Sequence, residues 1–178
     1  RIERLITDYS QMLKDEVALS KEKMKKINLK LIAKSVVDDF NNIYEAKRGI
    51  KIVLSDLNNL EEYNIYGIEN RIEQIIANLL DNSISFSDDN KKISVEISMD
   101  QNQKVILKVI DEGKGFRETN TKKIFNRFYS NRPDTFGKHS GLGLNIVKNL
   151  VDLHGGTINA YNNTLHKGAN VEITFPKS

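Results

Sequence analysis

The stretch from Glu69 to Phe86 constrains the fold of this chain most, because it combines an apolar helical stripe with two asparagines. Its isoleucines and leucines recur three and four residues apart, which predicts a helix with one face in a core: Ile72, Ile75, Ile76, Leu79 and Leu80. Asn78 and Asn82 stand four residues apart and therefore share a helix face. Because asparagine disfavours helix interiors by up to about 0.7 kcal/mol, the pair indicates an amide surface directed at a polar ligand. The alternative is a solvated helix face.

Two glycine-rich segments downstream of this helix predict a nucleotide site. The apolar run Val105–Ile110 has strand character and leads into Asp111-Glu-Gly-Lys-Gly115, and Ser140-Gly-Leu-Gly-Leu144 opens a second helical pattern. Glycines let the backbone approach a ligand closely, and a helix N-terminus attracts phosphates. A Walker P-loop and a Rossmann fingerprint are both excluded, because Arg132 stands where the first requires a glycine and Glu118 where the second does.

The connection over residues 116–140 is unusually long for a compact domain, which indicates a functional or a disordered segment. It carries aromatic and cationic side chains: Phe125, Phe128, Tyr129, Phe136, Arg127, Arg132 and Lys138. We expect a lid that packs on a ligand or on a neighbouring domain. An ordinary surface excursion is the alternative.

The composition is that of an ordinary globular domain, with 39% hydrophobic and 29% charged residues among 178. The formal net charge of +3 is explained by solvated lysines, so no nucleic-acid partner is expected. The sequence has no cysteine, which excludes disulfides, thiolate metal sites and thiol chemistry. No apolar run reaches the length of a membrane span. Because the chain begins at Arg1 without a methionine, we expect it to be part of a longer protein.

The first 26 residues differ from the rest of the chain. Their apolar residues alternate three and four apart over much of this stretch, without glycine or proline: Ile2, Leu5, Tyr9, Met12 and Leu19. This short heptad stripe predicts a helix that packs on partner helices. The alternative is an amphipathic helix that folds back on its own domain. The only domain boundary that the sequence indicates lies at residues 21–27.

The remaining chain alternates helical and strand patterns, and the strand runs 93–98 and 105–110 are predicted to form a β-hairpin. We therefore predict an α+β fold, a two-layer sandwich in which helices cover one face of a mixed, mainly antiparallel sheet. Helices are predicted over residues 31–46, 69–86 and 141–154. Strands are predicted over residues 27–29, 50–54, 64–66, 93–98, 105–110, 156–161 and 169–175.

Four motifs, in order, carry a resemblance to the ATP-binding domain of sensor histidine kinases, a member of the GHKL superfamily with the Bergerat fold. Asn78-Leu-Leu-Asp-Asn82 resembles the N box, and Asp111-Glu-Gly-Lys-Gly115 resembles the G1 box. Ile124-Phe-Asn-Arg-Phe-Tyr129 resembles the F box, and Ser140-Gly-Leu-Gly-Leu144 resembles the G2 box. The resemblance covers residues 27–178. The stretch 128–141 is most similar to the alphaproteobacterial ChvG/ExoS-type sensor kinases.

The resemblance implies a role for each motif in binding ATP and Mg²⁺. Asp111, an acceptor at a strand end, is expected to take a hydrogen bond from the exocyclic amine of adenine, and Asn82 to bind Mg²⁺. Asn78 is expected near the phosphates and Phe86 beside the nucleotide. Further nucleotide contacts are expected from Gly113, Gly115, Tyr129, Gly141, Leu142, Gly143 and Leu144. The mobile cations Arg127, Arg132 and Lys138 are candidates for contacts to the γ-phosphate, and no other catalytic residue is assigned.

The resemblance also implies a domain plan and partners. Residues 1–26 correspond to the C-terminal part of the second dimerisation and phosphotransfer helix. Residues 27–178 correspond to the catalytic domain, with an ATP lid at about 116–140. The implied enzyme is a histidine kinase, which transfers the γ-phosphate of ATP to a histidine that this chain lacks, for relay to an aspartate of a response regulator. The whole protein is expected to be a membrane-anchored homodimer, with this part on the cytoplasmic side of the inner membrane.

Three departures from the family pattern leave two alternatives open. Ser85 replaces a basic residue that is usual in the N box, Ser130 replaces an arginine, and His139 replaces a glycine. The first alternative is a degenerate module that binds nucleotide or protein without kinase activity. The second is an ATP-hydrolysing relative of the gyrase, Hsp90 and MutL type. Those relatives carry a glutamate at the position of Asn78, which argues against hydrolysis here.

Overall fold

The computed structural model describes residues 23–116, 121–125 and 143–178, and these residues form three α-helices and seven strands. In chain order the elements are β1 (Lys25–Asn28), α1 (Leu29–Arg48), β2 (Lys51–Asp56), β3 (Asn64–Gly67), α2 (Glu69–Phe86), β4 (Lys92–Met99), β5 (Val105–Ile110), a 3-10 turn (Thr121–Phe125), α3 (Gly143–Leu153), β6 (Thr157–Asn162) and β7 (Ala169–Phe175).

The strands form two sheets. β1 and β3 make an antiparallel pair, and the other five strands follow the order β2-β4-β5-β7-β6. Within the larger sheet only β2 and β4 are parallel, and the pairs β4–β5, β5–β7 and β6–β7 are antiparallel. The prediction of a mixed, mainly antiparallel sheet is confirmed.

One face of the larger sheet lies in the core and the other does not. Along β4 the side chains of Ile93, Val95 and Ile97 are buried, whereas Ser94 and Glu96 between them are partly exposed. The alternation follows from the two-residue period of a strand. The apolar stripes of the three helices cover the buried face, so the predicted α+β two-layer sandwich is confirmed.

Capping residues explain why α1 is longer than predicted. The Asn28 side chain accepts a hydrogen bond from the Lys30 N–H at 3.1 Å, and Gly49 ends the helix with φ of 66°. These are the usual start and stop signals of helices, and they extend α1 two residues beyond each end of the predicted range 31–46. The helix over Glu69–Phe86 has the predicted bounds.

The predicted domain division stays a prediction. The first described strand, β1, starts at Lys25 and pairs with β3, while residues 1–22 lie outside the described residues. Within the described part of the chain, no helix has the length and apolar character needed to span a membrane.

Candidate functional site

Asp111 is a buried hydrogen-bond acceptor at the end of β5. Only 3% of the residue is exposed, and its Oδ1 accepts from the Gly113 N–H at 2.9 Å and from the Ala169 N–H at 3.1 Å. Within the described part of the chain, Oδ2 makes no hydrogen bond. Burial raises the pKa of the carboxyl group, and the two backbone N–H bonds oppose that rise. Among the described residues, this buried carboxyl group therefore has one oxygen that can accept a further hydrogen bond.

The G1 box is packed tightly between α2 and the β6–β7 hairpin. A Cβ on Gly113 would lie 2.6 Å from the carbonyl oxygen of Phe86, the last residue of α2. A side chain on Gly168, which has φ of 146°, would overlap the carbonyl group of Asp111. Gly113 was predicted from its motif, whereas Gly168 was not singled out. Its only signal was its place just before the last strand.

The N-box residues lie on the helix that meets the G1 box. Asn82 is one turn before Phe86, and Asn78 is one turn before Asn82. All three side chains are half-buried. Asn78 makes no side-chain hydrogen bond to the described residues. Since α2 ends against Gly113, the structure brings this polar stripe to the same end of the sheet as Asp111.

His154 joins the C-terminal end of α3 to the N-terminal end of α2. Its buried ring donates from Nδ1 to the carbonyl of Leu150 at 2.7 Å and accepts at Nε2 from the Ile68 N–H at 3.2 Å. Because α3 packs along α2, the two helices run in opposite directions. The 11 residues of α3 extend back by about 16 Å, which places the N-terminal Gly143 beside the middle of α2.

The end of α2 is capped by Arg48, which belongs to α1. The guanidinium group donates to the carbonyls of Ile84 at 2.9 Å and Ser87 at 2.7 Å, and to the Asp89 carboxylate at 2.7 Å. A cation there is favourable because the C-terminal carbonyls carry partial negative charge, and the last turn of α2 contains no basic residue. Sequence analysis missed Arg48, which therefore holds the helix end that borders the G1 box.

The donor set suits a magnesium ion held mainly by its substrate. Mg²⁺ prefers oxygen ligands and commonly keeps water and phosphate oxygens in its shell, so it needs few protein ligands. Asn82 offers one amide oxygen. No group of three or more histidine, cysteine, aspartate or glutamate side chains is arranged for a metal within the described ranges. The residues fit an ion that arrives with a nucleotide better than a protein-only cage.

Ser85, one of the departures from the family pattern, is accounted for by local packing. It is buried, and its hydroxyl donates to the Asn82 carbonyl at 2.8 Å within α2. The position therefore supplies no cation to a phosphate. The other two departures, Ser130 and His139, lie outside the described residues.

The predicted site residues of the lid cannot be placed. Tyr129, Gly141 and Leu142, together with the candidate cations Arg127, Arg132 and Lys138, lie outside the described residues. Gly143 and Leu144 form the first turn of α3, where Gly143 is exposed and Leu144 packs partly against the core. No described atom lies within 4 Å of a Cβ built on Gly143.

A comparison with protein families agrees with this geometry. Residues 67–178 match the family described as histidine kinase-, DNA gyrase B- and HSP90-like ATPases. The chain belongs to this family. The match includes α2, the G1 box, α3 and β7. The family assignment made from the four motifs is confirmed, and the domain is of the ATP-binding type.

Curated relatives are sensor proteins that are much longer than this chain. ChvG of Rhizobium meliloti (strain 1021) is 33% identical over 168 residues, which cover 91% of this chain and 29% of the relative. ChvG of Agrobacterium fabrum is 32% identical and covers 91% and 28%. The chain thus spans less than a third of the length of these relatives. The predicted similarity to ChvG-type sensor kinases is confirmed.

Solved structures show the same fold. The catalytic domain of the histidine kinase ThkA superposes with a TM-score of 0.75 at 25% identity, over 88% of this chain and 97% of that one. The mycobacterial sensor histidine kinase MprB superposes with a TM-score of 0.72 at 20% identity, over 86% and 97%. The architecture of this chain is that of histidine kinase catalytic domains.

Proposed function

We propose that this domain binds ATP with Mg²⁺ and presents the γ-phosphate to a histidine on the dimerisation domain of its own homodimer. The observation that carries the proposal is the buried Asp111 carboxylate, which has one oxygen without a hydrogen bond to the described residues. The C-terminal end of α2 meets the same sheet end, and we infer that the N-terminus of α3 borders the other side of the site. In this proposal Asp111 accepts a hydrogen bond from the adenine base, and the N-terminus of α3 attracts the phosphates at the opposite side of the same site.

Asp111 gives the site its preference for adenine. The exocyclic amine of adenine donates a hydrogen bond to a carboxylate oxygen, whereas guanine presents a carbonyl oxygen at that position. Acceptor would then face acceptor in a buried place, and such a mismatch weakens binding strongly. We expect ATP and ADP to bind and GTP to be excluded.

The phosphates are assigned to α2 and α3. Asn82 would hold Mg²⁺ through its amide oxygen, and the ion would neutralise phosphate charge when bound. Asn78 would face the phosphates, and Gly143 and Leu144 would direct free N–H groups of the first turn of α3 toward them. In phosphoryl transfer most of the rate comes from such positioning and electrostatic stabilisation.

The relatives support the partners in this proposal. One solved structure is ThkA in complex with the response regulator protein TrrA, and another is full-length ShkA in complex with AMPPNP. Both superpose on this chain with TM-scores of 0.74 and 0.79. We extend these features to this chain, with a receiver domain of a response regulator as the final phosphate acceptor. We also propose that the domain lies on the cytoplasmic side of an inner-membrane receptor, and the similarity to sensor proteins supports this.

A kinase role is favoured over ATP hydrolysis because α2 carries Asn78 where a hydrolase of this superfamily carries its glutamate. A neutral amide cannot take a proton from water, and hydrolysis needs a base within hydrogen-bond reach of the attacking water. The described histidines are also occupied. His154 is buried with both ring nitrogens bonded, and His166 bonds to Asn163 and Lys167.

Calorimetric titration tests the proposal. We expect ADP and ATP to bind with a dissociation constant in the micromolar range, about −8 kcal/mol at 1 μM, and GTP to give no heat at the same concentrations. Mg²⁺ should strengthen ATP binding by the wild type, and Asn82→Leu should remove that gain while ADP without metal binds as before. Equal affinities for ATP and GTP would overturn the proposed base recognition.

A second measurement separates the kinase from the hydrolase. The purified chain should neither release phosphate from ATP at a steady rate nor label itself, because α2 carries Asn78 in place of a general base and both described histidines are already hydrogen-bonded. Supplying a dimerisation domain with its histidine in trans should give phosphohistidine. Steady phosphate release that is abolished by Asn82→Leu would place the chain among the hydrolases instead.

A further inference from the structure

At each edge of the larger sheet, one asparagine side chain makes the two hydrogen bonds that a peptide group of a neighbouring strand would make. At the β2 edge, Asn41 of α1 donates from Nδ2 to the Ile52 carbonyl at 2.9 Å and accepts from the Ile52 N–H at 2.8 Å. At the β6 edge, Asn162 accepts from the Phe116 N–H at 2.6 Å and donates to the Phe116 carbonyl at 3.0 Å. Each amide therefore satisfies both backbone groups of one residue, as a neighbouring strand would.

The Asn41–Ile52 pair and the Asn162–Phe116 pair differ in the chain segment that they fix. Ile52 is buried within β2 and is already fixed by its pairing with β4. Phe116 follows the G1 box directly and precedes the predicted lid. Among the described residues its backbone groups are held by Asn162, and the phenyl ring is buried. The Asn41 pair covers an edge strand, whereas the Asn162 pair anchors a segment that no strand holds.

Asn162 also fits closely around Gly115. That glycine has φ of 80°, and a Cβ on it would lie 2.6 Å from the Asn162 Oδ1 atom. A side chain at position 115 would be both strained and in collision with the amide. The absence of a side chain at Gly115 therefore lets Asn162 reach Phe116, and the G1 box has the shape that this contact requires.

We propose that Asn162 is a positioning residue for nucleotide binding, which holds the G1 box and the start of the lid in the binding-competent conformation. The inference rests on the proposed function, since it assigns Asn162 to the same adenine site. Asn162 acts through Phe116 and Gly115 and needs no contact with the nucleotide. If the competent conformation becomes less populated, the apparent affinity falls by the same fraction.

Asn162→Ala removes both hydrogen bonds, and Asn41→Ala removes the same two bonds from the other edge as a matched control. Asn162 is an exposed residue, so its truncation leaves the core intact. We expect Asn162→Ala to weaken ADP binding about tenfold, the factor that one net hydrogen bond gives. Asn41→Ala should lower the unfolding temperature yet bind ADP within about twofold of the wild type.

A second variant and a second readout separate positioning from general destabilisation. Asn162→Asp keeps an acceptor for the Phe116 N–H and loses only the donor, so its loss of affinity should be smaller than that of Asn162→Ala. Hydrogen exchange at the Phe116 amide should be slow in the wild type and in Asn41→Ala, and fast in Asn162→Ala. The preference for ADP over GDP should shrink only in the Asn162 variants.

The outcomes are distinct. Wild-type affinity in Asn162→Ala with a fast-exchanging Phe116 amide would overturn the positioning role and leave the proposed function standing. Equal losses of affinity in Asn41→Ala and Asn162→Ala would also overturn it, because stability alone would then explain both. A wild-type chain that bound no ADP would overturn the proposed function itself, and this is measured before any variant.

Discussion

Asp111 and Asp56 both follow a run of strand residues, yet they stand in opposite chemical situations at opposite ends of the larger sheet. Asp56 ends β2, and its carboxylate accepts from the Lys30 ammonium at 2.8 Å, from the Tyr63 hydroxyl and from the Asn59 N–H at 2.8 Å. The hydrogen bonds from Lys30 and Tyr63 lower the pKa of Asp56 to about 2. Asp111 has two backbone N–H donors and no described cation, and burial raises its pKa.

The difference separates an aspartate that the fold itself satisfies from one that we propose binds the nucleotide. The protein satisfies both oxygens of Asp56, with the ammonium of Lys30 on Oδ2. At Asp111 one oxygen accepts two backbone N–H bonds, and the other makes no hydrogen bond to the described residues, so it can accept one from a ligand. Perturbed carboxyl groups of this second kind cluster at binding sites. The same substitution at the two positions should therefore have opposite consequences.

The largest effect is expected from Asp111→Asn. The amide oxygen would keep the bonds from Gly113 and Ala169, so the NH₂ group would face the exocyclic amine of adenine, donor against donor. We expect ADP affinity to fall about a hundredfold or more, while thermal stability is maintained because no charge is buried. Calorimetry and thermal unfolding measure the two quantities. Wild-type affinity would remove Asp111 from the site, and unfolding of the variant would make it a structural residue like Asp56.

Asp56→Asn should show the reverse pattern. It removes the charge that Lys30 and Tyr63 surround, and it should lower the unfolding temperature by several degrees with ADP affinity unchanged. The wild type should also lose this contribution in acid. The pKa of Asp56 is about 2 in the fold and about 4 when unfolded, so the loss occurs as pH falls between about 4 and 2. A variant that lost ADP binding at full stability would abolish the contrast.

Arg48→Met tests whether the cap that Arg48 forms on the end of α2 contributes to stability and to ADP affinity. It removes the guanidinium donor from the Ile84 and Ser87 carbonyls, although Ile84 keeps the bond from the Ser87 N–H. We expect a loss of about 2 kcal/mol of stability and about a threefold weaker ADP affinity. Asp89→Ala is the control, because it removes only an exposed partner of Arg48 and should cost less than about 1 kcal/mol. Denaturant unfolding compares the two. Equal losses would contradict the assignment of Arg48 as a helix cap.

The smallest effect is expected for His154. Like Asp111 it is a buried titratable group, and burial favours its uncharged form. Burial lowers its pKa, opposed by the hydrogen bond to Leu150. The unfolded chain therefore takes up a proton below about pH 6.5 before the folded chain does, so stability falls as the pH falls from about 6.5. In His154→Gln an amide can donate to Leu150 and accept from Ile68 without titrating. Its unfolding temperature should change less between pH 7.5 and pH 5.5 than that of the wild type, and identical slopes would refute this role.

Local patterns predicted much of the fold. The apolar periodicity of Glu69–Phe86 and the strand runs Val105–Ile110 and Ala169–Phe175 have the predicted bounds, because burial of one face leaves a repeat in the sequence. Asp111 and Gly113 were predicted from a motif that follows a strand directly, and their roles in binding stay predictions. The roles assigned to Arg127, Arg132, Lys138 and Tyr129 stay predictions.

The residues that sequence analysis missed act across long distances in the chain. Asn162 looks like a turn residue of an asparagine-rich hairpin, and its role depends on Phe116, 46 positions earlier. Arg48 looks like the basic last turn of its own helix, and it caps a different one. Neither of these hydrogen bonds can be predicted from neighbouring residues, because a hydrogen bond between distant residues produces no periodicity in the sequence.

The sequence by itself determined the element types, the core faces, the family and the acceptor at Asp111. These features depend on neighbours along the chain. Because the hydrophobic effect buries one face of each element, apolar residues recur at a regular spacing in the sequence. Only the tertiary structure decided which aspartate is satisfied and which keeps an oxygen for a ligand. That distinction depends on which donors the fold brings to each carboxylate. Lys30 reaches Asp56 across 26 positions, whereas the described donors to Asp111 are two backbone N–H groups. Asp56 and Asp111 are the same residue type, and the difference between them is made by packing.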